Sequence, residues 1–323
     1  MPRQARIDIP GLLQHVIVRG VAQAEIFTDD QDRADFVSRL GSLLGETKTL
    51  CYAWALLDNH LHLLLLPTEQ PLARLMRRLL TGYAVTFNLR HNRAGHLFQN
   101  RYTSIVCDDE IYRLELLRYI HLNPIRAGIV ADLEELARYP WCGHQQLLGA
   151  AAYQLLERSE LLPLFAKRKK TAVARYLDFL ADGLQSEKSI KLSSGGRKAS
   201  RTYNDQLADD ELFDERILGG GDFVEQVLGA EAMPDTSKLS LAELIALVAG
   251  YYQLSAADLA LPCRFPQYVK ARAVICYFAM RHLRLPAAVI RPRLSYTASA
   301  VSKAARQGQK LYREDAHLQA LLG

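Results

Sequence analysis

The sequence predicts an α+β domain, one sheet with helices packed on it, followed by an all-α domain of helix-turn-helix type. Three observations carry that prediction. Within the first 150 residues, segments alternate in the order strand, helix, two adjacent strands, helix, strand, helix. From 185 to about 221 the chain turns rich in Ser, Gly and charge with few aliphatics, which reads as a linker or loosely packed segment. Beyond it helical periodicity returns. These breaks divide the chain into residues 1–150, a helical extension and linker at 151–235, and a helical domain at 236–323.

Each element has a local cause. "QHVIVR" (14–19) is rich in β-branched residues and reads as a strand. "TDDQDRADFVSRLGSLLGE" follows as an amphipathic helix whose first-turn acids favour the helix dipole. "TLCYAWALL" reads as a second strand, and Asp58-Asn59 is a turn-prone pair before the third, "HLHLLLLP". "PLARLMRRLLTGYAVTFNLRH" spaces its apolar residues three and four apart, as a helix does. "HLFQNRYTSIVC" reads as a strand and "DEIYRLELLRYIHLN" as a helix. The latter stops near Pro124, because the residue before proline is pushed out of the αR region. Residues 151–184 read as helical.

In the last domain "SLAE" (240–243) and "SAAD" (255–258) both fit the capping box. "PQYVKARAVICYFAMRHL" opens with proline, which suits the first helical position. "PAAVIRPRL", a break at Ser295 and "TASAVSKAARQGQKL" then give helix, turn, helix. Lys303, Arg306 and Lys310 recur three and four apart on the last of these, the layout of a basic recognition helix. A small helical bundle with no DNA partner would read the same way.

Composition narrows the function classes. No apolar run approaches the roughly 18–20 residues that span a bilayer, and "MPRQARIDIPGL" has no apolar export region, so a cytoplasmic protein without membrane contact is expected. Five scattered cysteines with no C-x-x-C pair read as reduced thiols rather than a zinc knuckle. The net charge of +5 is modest, but its distribution is not. Residues 70–107 hold Arg74, Arg77, Arg78, Arg90, Arg93 and Arg101 and no Asp or Glu, a footprint that suits nucleic acid unless acids elsewhere neutralise it. "KRKK" (167–170) reads as a solvated patch.

The chemistry concentrates in "LLDNHLHLLLLP" (56–67). On a strand, His60 and His62 point the same way about 6–7 Å apart and can share a metal ion. Unpaired, two buried imidazoles would only be a cost. The third helix offers Tyr119 and, four residues on, Asn123, on one face. An Asn oxygen could complete a site of two imidazoles and one oxygen, open to phosphate and water. Tyr119 would then stand beside the phosphate as nucleophile. Spacing alone leaves alternatives open. An H-x-H pair is often incidental, and Tyr83, Tyr102 and Tyr112 compete for the nucleophile's role on composition.

Taken together, "PGLLQHVIVRG", "CYAWALLDNHLHLLL", "LLTGYAVTFNLRHNRAGHLFQNRY" and "LLRYIHLNPIRAGIV" resemble the REP-associated tyrosine transposases of the HUH single-strand DNA endonucleases, in the right order over residues 1–145. The resemblance implies a ferredoxin-like catalytic domain with His60 and His62 as metal ligands, Asn123 as the third and Tyr119 as nucleophile. It further implies Mg²⁺ or Mn²⁺, a 5′-phosphotyrosine on single-stranded DNA, and recognition of hairpins of repetitive palindromic elements. Imidazole ligands favour Mn²⁺ while Mg²⁺ prefers oxygen. Oligomeric state stays open between monomer and dimer.

By analogy, Arg77, Arg78, Arg90, Arg93 and Arg101 would grip phosphate, and Phe98 or Tyr102 would stack on an unpaired base, core packing being the alternative for Phe98. His121 is expected to point off the metal face, as a DNA contact or a bystander. The segment 271–307 is weakly similar to the DNA-binding domain of the DnaA initiator, which would give Lys303 and Arg306 a role on duplex DNA. It departs from that pattern at Thr297-Ala298, where an acidic-His pair is usual, so base readout is in doubt while phosphate contacts could survive. Two other readings stand beside the transferase: a domesticated DNA-binding regulator without turnover, and a nuclease using water in place of Tyr119.

Overall fold

The β-branched and leucine-rich segments assemble into one sheet. The computed structural model describes residues 5–150, 153–184, 192, 194–196, 199–200, 211–232, 240–262, 265–281, 283, 285–315 and 317–318. Its strands are β1 (Leu13–Arg19), β2 (Thr49–Leu56), β3 (His60–Pro67), β4 (Thr103–Cys107) and β5 (Ile217–Leu218), in the order β2-β3-β1-β4-β5. The first four pair antiparallel, and β5 adds parallel to β4. Helix α1 (Asp30–Thr47) joins β1 to β2, and α2 (Leu72–Arg90) joins β3 to β4. This is the βαββαβ arrangement of ferredoxin-like domains, within an α+β fold followed by a helical region.

Local signals set most boundaries. The Asp29 side chain caps α1 by accepting from the Asp32 amide at 3.0 Å. The Asp58-Asn59 turn closes the β2–β3 hairpin through Leu57 N–H donating to the His60 carbonyl. The "HLFQNRY" portion of the fourth strand segment is irregular instead, because pairing there shrinks to a single bridge between Gly20 and Phe98.

Helix α3 (Asp109–Arg126) lies against β1, β2 and β3. It runs through Pro124 rather than stopping before it. Proline forfeits only its own N–H, and the turn is carried on by the Ala127 amide donating to the Asn123 carbonyl at 2.8 Å, until Gly128 turns the chain at φ +70°. Short helices α4 (Leu133–Arg138) and α5 (His144–Leu148) follow, then α6 (Arg158–Phe165) and α7 (Lys169–Leu184). The four residues of "KRKK" are exposed.

The described part of the supposed linker is packed, not loose. Ile217 and Leu218 are buried in the sheet, and Leu192, Ala199 and Ser200 are buried as well. Two-residue strands and isolated buried leucines carry no periodicity, so sequence patterning cannot find them.

The chain divides into two compact units, residues 1–224 and 225–323, the division falling within helix α8 (Gly221–Ala232). The second unit is helical: α9 (Leu241–Tyr251), α10 (Pro266–Arg281), α11 (Ala287–Leu294) and α12 (Ala298–Glu314). Ser240 and Glu243 form the expected capping box on α9. "SAAD" opens only a single 3₁₀ turn, Asp258–Ala260, and its Ser255 hydroxyl accepts from Ala257 instead. Ser295 breaks the last two helices apart in the left-handed region, and Thr297 caps α12. Val301, Ala304 and Gly308 bury one face of α12 while Lys303, Arg306 and Lys310 stay exposed. The helix crosses α10 closely enough that a Cβ on Gly308 would meet the Ala273 carbonyl oxygen at 1.9 Å. Cys51, Cys107, Cys142 and Cys276 are free and buried; Cys263 lies outside the described residues.

Candidate active site

Antiparallel register brings four polar side chains onto one face of the sheet. Ile17 pairs with His62 and Arg19 with His60, so His15, Ile17 and Arg19 of β1 share a face with His60, His62 and Leu64 of β3. His60 and His62 stand edge to face, ring centres 5.2 Å apart. Helix α3 then lays Tyr119 across them, its ring edge-on to His62 at 5.6 Å and to His15 at 5.8 Å. Residues 57 and 104 positions apart in sequence therefore meet. Tyr119 is buried, and the Arg126 guanidinium stands 5.7 Å from its ring centre.

The other three tyrosines are placed elsewhere. Tyr83 and Tyr112 are fully buried and donate to the carbonyls of Ile26 and Ser200, and burial pushes both phenols up. Tyr102 is buried with the Arg6 guanidinium 4.3 Å over its ring, its phenol pushed up by burial to about 12. None of these rings stands against the histidine pair.

The imidazoles are neutral, as ligands must be. Burial lowers His60, and the Arg19 charge opposite adds to this against Asp58. Burial also holds His62 well below its ordinary value, with His15, His60 and Arg19 reinforcing it. His60 Nδ1 lies 2.7 Å from the Asn59 side-chain oxygen, an acceptor, so the proton sits on Nδ1 and Nε2 keeps its lone pair. Asn123 is fixed through its amide, which donates to the Tyr119 carbonyl at 3.1 Å one turn back. Among the described residues no three His, Cys, Asp or Glu side chains converge as a metal group. A divalent ion here would rest on two imidazoles plus neutral oxygens, a donor set that suits an ion left open to phosphate and water.

Sequence reasoning missed His15. It is fully buried, with Nε2 2.9 Å from His62 Nδ1 and Nδ1 3.0 Å from the Leu192 carbonyl oxygen. The available signal was a histidine leading the apolar run Val16–Val18, in phase with Arg19.

The basic stretch is less uniform than it reads. Arg77 and Arg101 are exposed. Arg78, however, pairs with Glu46 at 2.6 Å, and Arg90 is held by Asp29 and the buried Asp32, which also accepts from His91. These carboxylates belong to α1 and its cap, so two of the expected phosphate contacts are already neutralised. Arg93 is half-buried, 5.7 Å from the Phe87 ring centre. Phe98 is half-buried beside Tyr83, 6.4 Å between ring centres. The expected stacking role of Tyr102 does not fit its burial under Arg6. His121 is no DNA contact either: it is wholly buried, its Nδ1 2.8 Å from the Tyr176 hydroxyl.

Residues 9–123 match the family model described as "Transposase IS200 like", a span holding β1 to β4, the histidines, Tyr119 and Asn123. No curated protein matches the chain. One solved structure does, titled "Structure of the REP associates tyrosine transposase bound to a REP hairpin", at 17% identity over 48% of this chain and 90% of that one, with a TM-score of 0.38. Among the described residues no helix is long and apolar enough to cross a membrane.

Proposed function

We propose that the protein is a transposase-type strand transferase that breaks and rejoins single-stranded hairpin DNA through Tyr119. The observation that carries this reading is the seating of Tyr119 edge-on at 5.6 Å from His62, beside His60, in a segment matching the IS200-like transposase model. The Tyr119 hydroxyl attacks the phosphorus and yields its proton. The bond to the 3′ oxygen breaks, and that oxygen leaves as a hydroxyl, with the 5′ phosphate on tyrosine. A second 3′-hydroxyl reverses the step, since a phenolate is a fair leaving group. A Mg²⁺ or Mn²⁺ ion on His60, His62 and Asn123 would neutralise the phosphate and orient it in line. The neutral imidazoles keep lone pairs for that ion, and the short turn at Asn59 holds His60 in place. Arg77, Arg93 and Arg101, with Phe98, are assigned to the DNA strand, and Lys303 and Arg306 to duplex phosphates.

The test is a labelled single-stranded hairpin incubated with the protein and Mn²⁺. A denaturant-resistant protein–DNA adduct is expected, absent in Tyr119→Phe. A mobility shift with no adduct would make the protein a regulator, and cleavage surviving the substitution would make it a hydrolase. In the same assay Arg101→Ala should weaken hairpin binding and lower the slope of log K against log salt by about one or less. Arg90→Ala should act on stability instead, since it strips a partner from buried Asp32.

A further inference from the structure

The hydrogen bonds around His15 have only one consistent polarity. A carbonyl oxygen cannot donate, so the Leu192 carbonyl 3.0 Å from His15 Nδ1 requires a proton on that nitrogen. His15 is fully buried and has no carboxylate among its hydrogen-bond partners, so it stays neutral, and its Nε2 bears a lone pair. That lone pair lies 2.9 Å from His62 Nδ1, which must then be the donor. Two protons are thereby placed on Nδ1, and the Nε2 of His62 is left with its lone pair. His60 reaches the same tautomer through Asn59.

We infer that His15 is a positioning residue: with the Leu192 carbonyl it fixes the tautomer and ring plane of His62, so that His62 presents Nε2 to a divalent cation. The inference rests on the metal reading above and deepens it. It makes the Leu192 carbonyl, 177 residues from His15, part of the site's support. The ring stack supports it too: His15 and His62 lie 25° from parallel with centres 5.1 Å apart, so the ring of one limits rotation of the other. Outer partners of this kind set ligand orientation and affinity at metal sites.

The experiment uses the full chain in three forms: wild type, His15→Leu and His15→Gln. Glutamine carries a donor and an acceptor on one planar group and can span the same two partners; leucine can do neither. Long-range ¹H–¹⁵N correlation spectra of metal-free, ¹⁵N-histidine-labelled protein at neutral pH report tautomers directly. Wild type should show His15 and His62 both protonated at Nδ1, and His15→Leu should move His62 toward the Nε2-protonated form. Mn²⁺ affinity, read from the free-ion EPR signal, should fall about 10–100-fold in His15→Leu and recover most of that in His15→Gln. A wild-type His62 protonated at Nε2 overturns the inference even if His15→Leu does not fold. So does Mn²⁺ affinity in a folded His15→Leu within twofold of wild type. Wild type that shows the tautomers but binds no Mn²⁺ overturns the metal reading and this role toward a cation together, and leaves only the hydrogen-bond chain.

Discussion

Helix α3 carries two aromatic–histidine clusters, and they differ in where their lone pairs end. Tyr119 stands edge-on to His62 and His15 on the sheet, and His62 in turn against His60. Two residues on, His121 faces away into a cluster with Tyr176 and His144, whose Nδ1 atoms lie 2.8 and 2.7 Å from the tyrosine hydroxyl. Both clusters have neutral imidazoles, all buried except the half-buried His60, and composition cannot separate them. In the first, the hydrogen-bond chain starts at a carbonyl and runs outward to free nitrogen lone pairs next to a phenol. In the second, it turns inward. One hydroxyl can donate to only one of two imidazoles, so the two rings hold different tautomers. Their Nε2 atoms are buried and make no hydrogen bond. Gly143 is squeezed against the His121 ring, where a Cβ would lie 2.9 Å from Nε2. The second cluster thus braces α3 against α5 and α7, while the first is the one the proposed function assigns to an ion.

The sharpest way to break this contrast is to remove one member from each side. His62→Gln should lower Mn²⁺ affinity and adduct formation by more than about 100-fold, beyond the ~10–100-fold typical of an outer partner. Tyr176→Phe should do the reverse. Each imidazole nitrogen left unpaired costs about 1–3 kcal/mol, read by urea unfolding, while Mn²⁺ affinity stays within about twofold. If Tyr176→Phe abolished metal binding at unchanged stability, the two clusters would be one system.

Acid provides a finer probe. Burial lowers His144 to about 4 and His121 well below its ordinary value. Their folded pKa values lie below the unfolded 6.5, so between those limits the unfolded chain binds more protons. Stability therefore rises with pH there and is lost as pH falls from about 6.5 toward 4. The slope is at most about 1.4 kcal/mol per pH unit for each imidazole, with His15, lowered to about 4 by burial, contributing in the same direction. Unfolding midpoints across that range should flatten in His144→Phe, which removes one titrating group.

How much of this was legible in the sequence depends on the range of the cause. The hairpin before His60, the capped start of α1, the Ser240 box and the break at Ser295 are written in neighbouring residues. The pairing of His60 with His62 follows from strand alternation, and that of Tyr119 with Asn123 from the helical turn. The engagement of Arg78 and Arg90 by α1 carboxylates was not legible, because those partners lie 32 and 58 or 61 positions away. Tyr102 misled for the same cause, and His121 took the expected face, off the metal side, but is covered there by Tyr176 and His144: a local pattern gives the face a residue takes, not what covers that face.

By itself, the sequence determined the order of the first four strands and the first three helices, the imidazoles at 60 and 62, the amide at 123 and the phenol at 119. Those depend on periods of two and 3.6 residues, which any short window contains. Only the tertiary structure decided that β1 would lie between β3 and β4, that Ile17 would pair with His62, and that the Leu192 carbonyl would close on His15. Sheet register and long-range burial are settled by the packing of the whole chain, and a one-residue slip would send every one of these side chains to the other face.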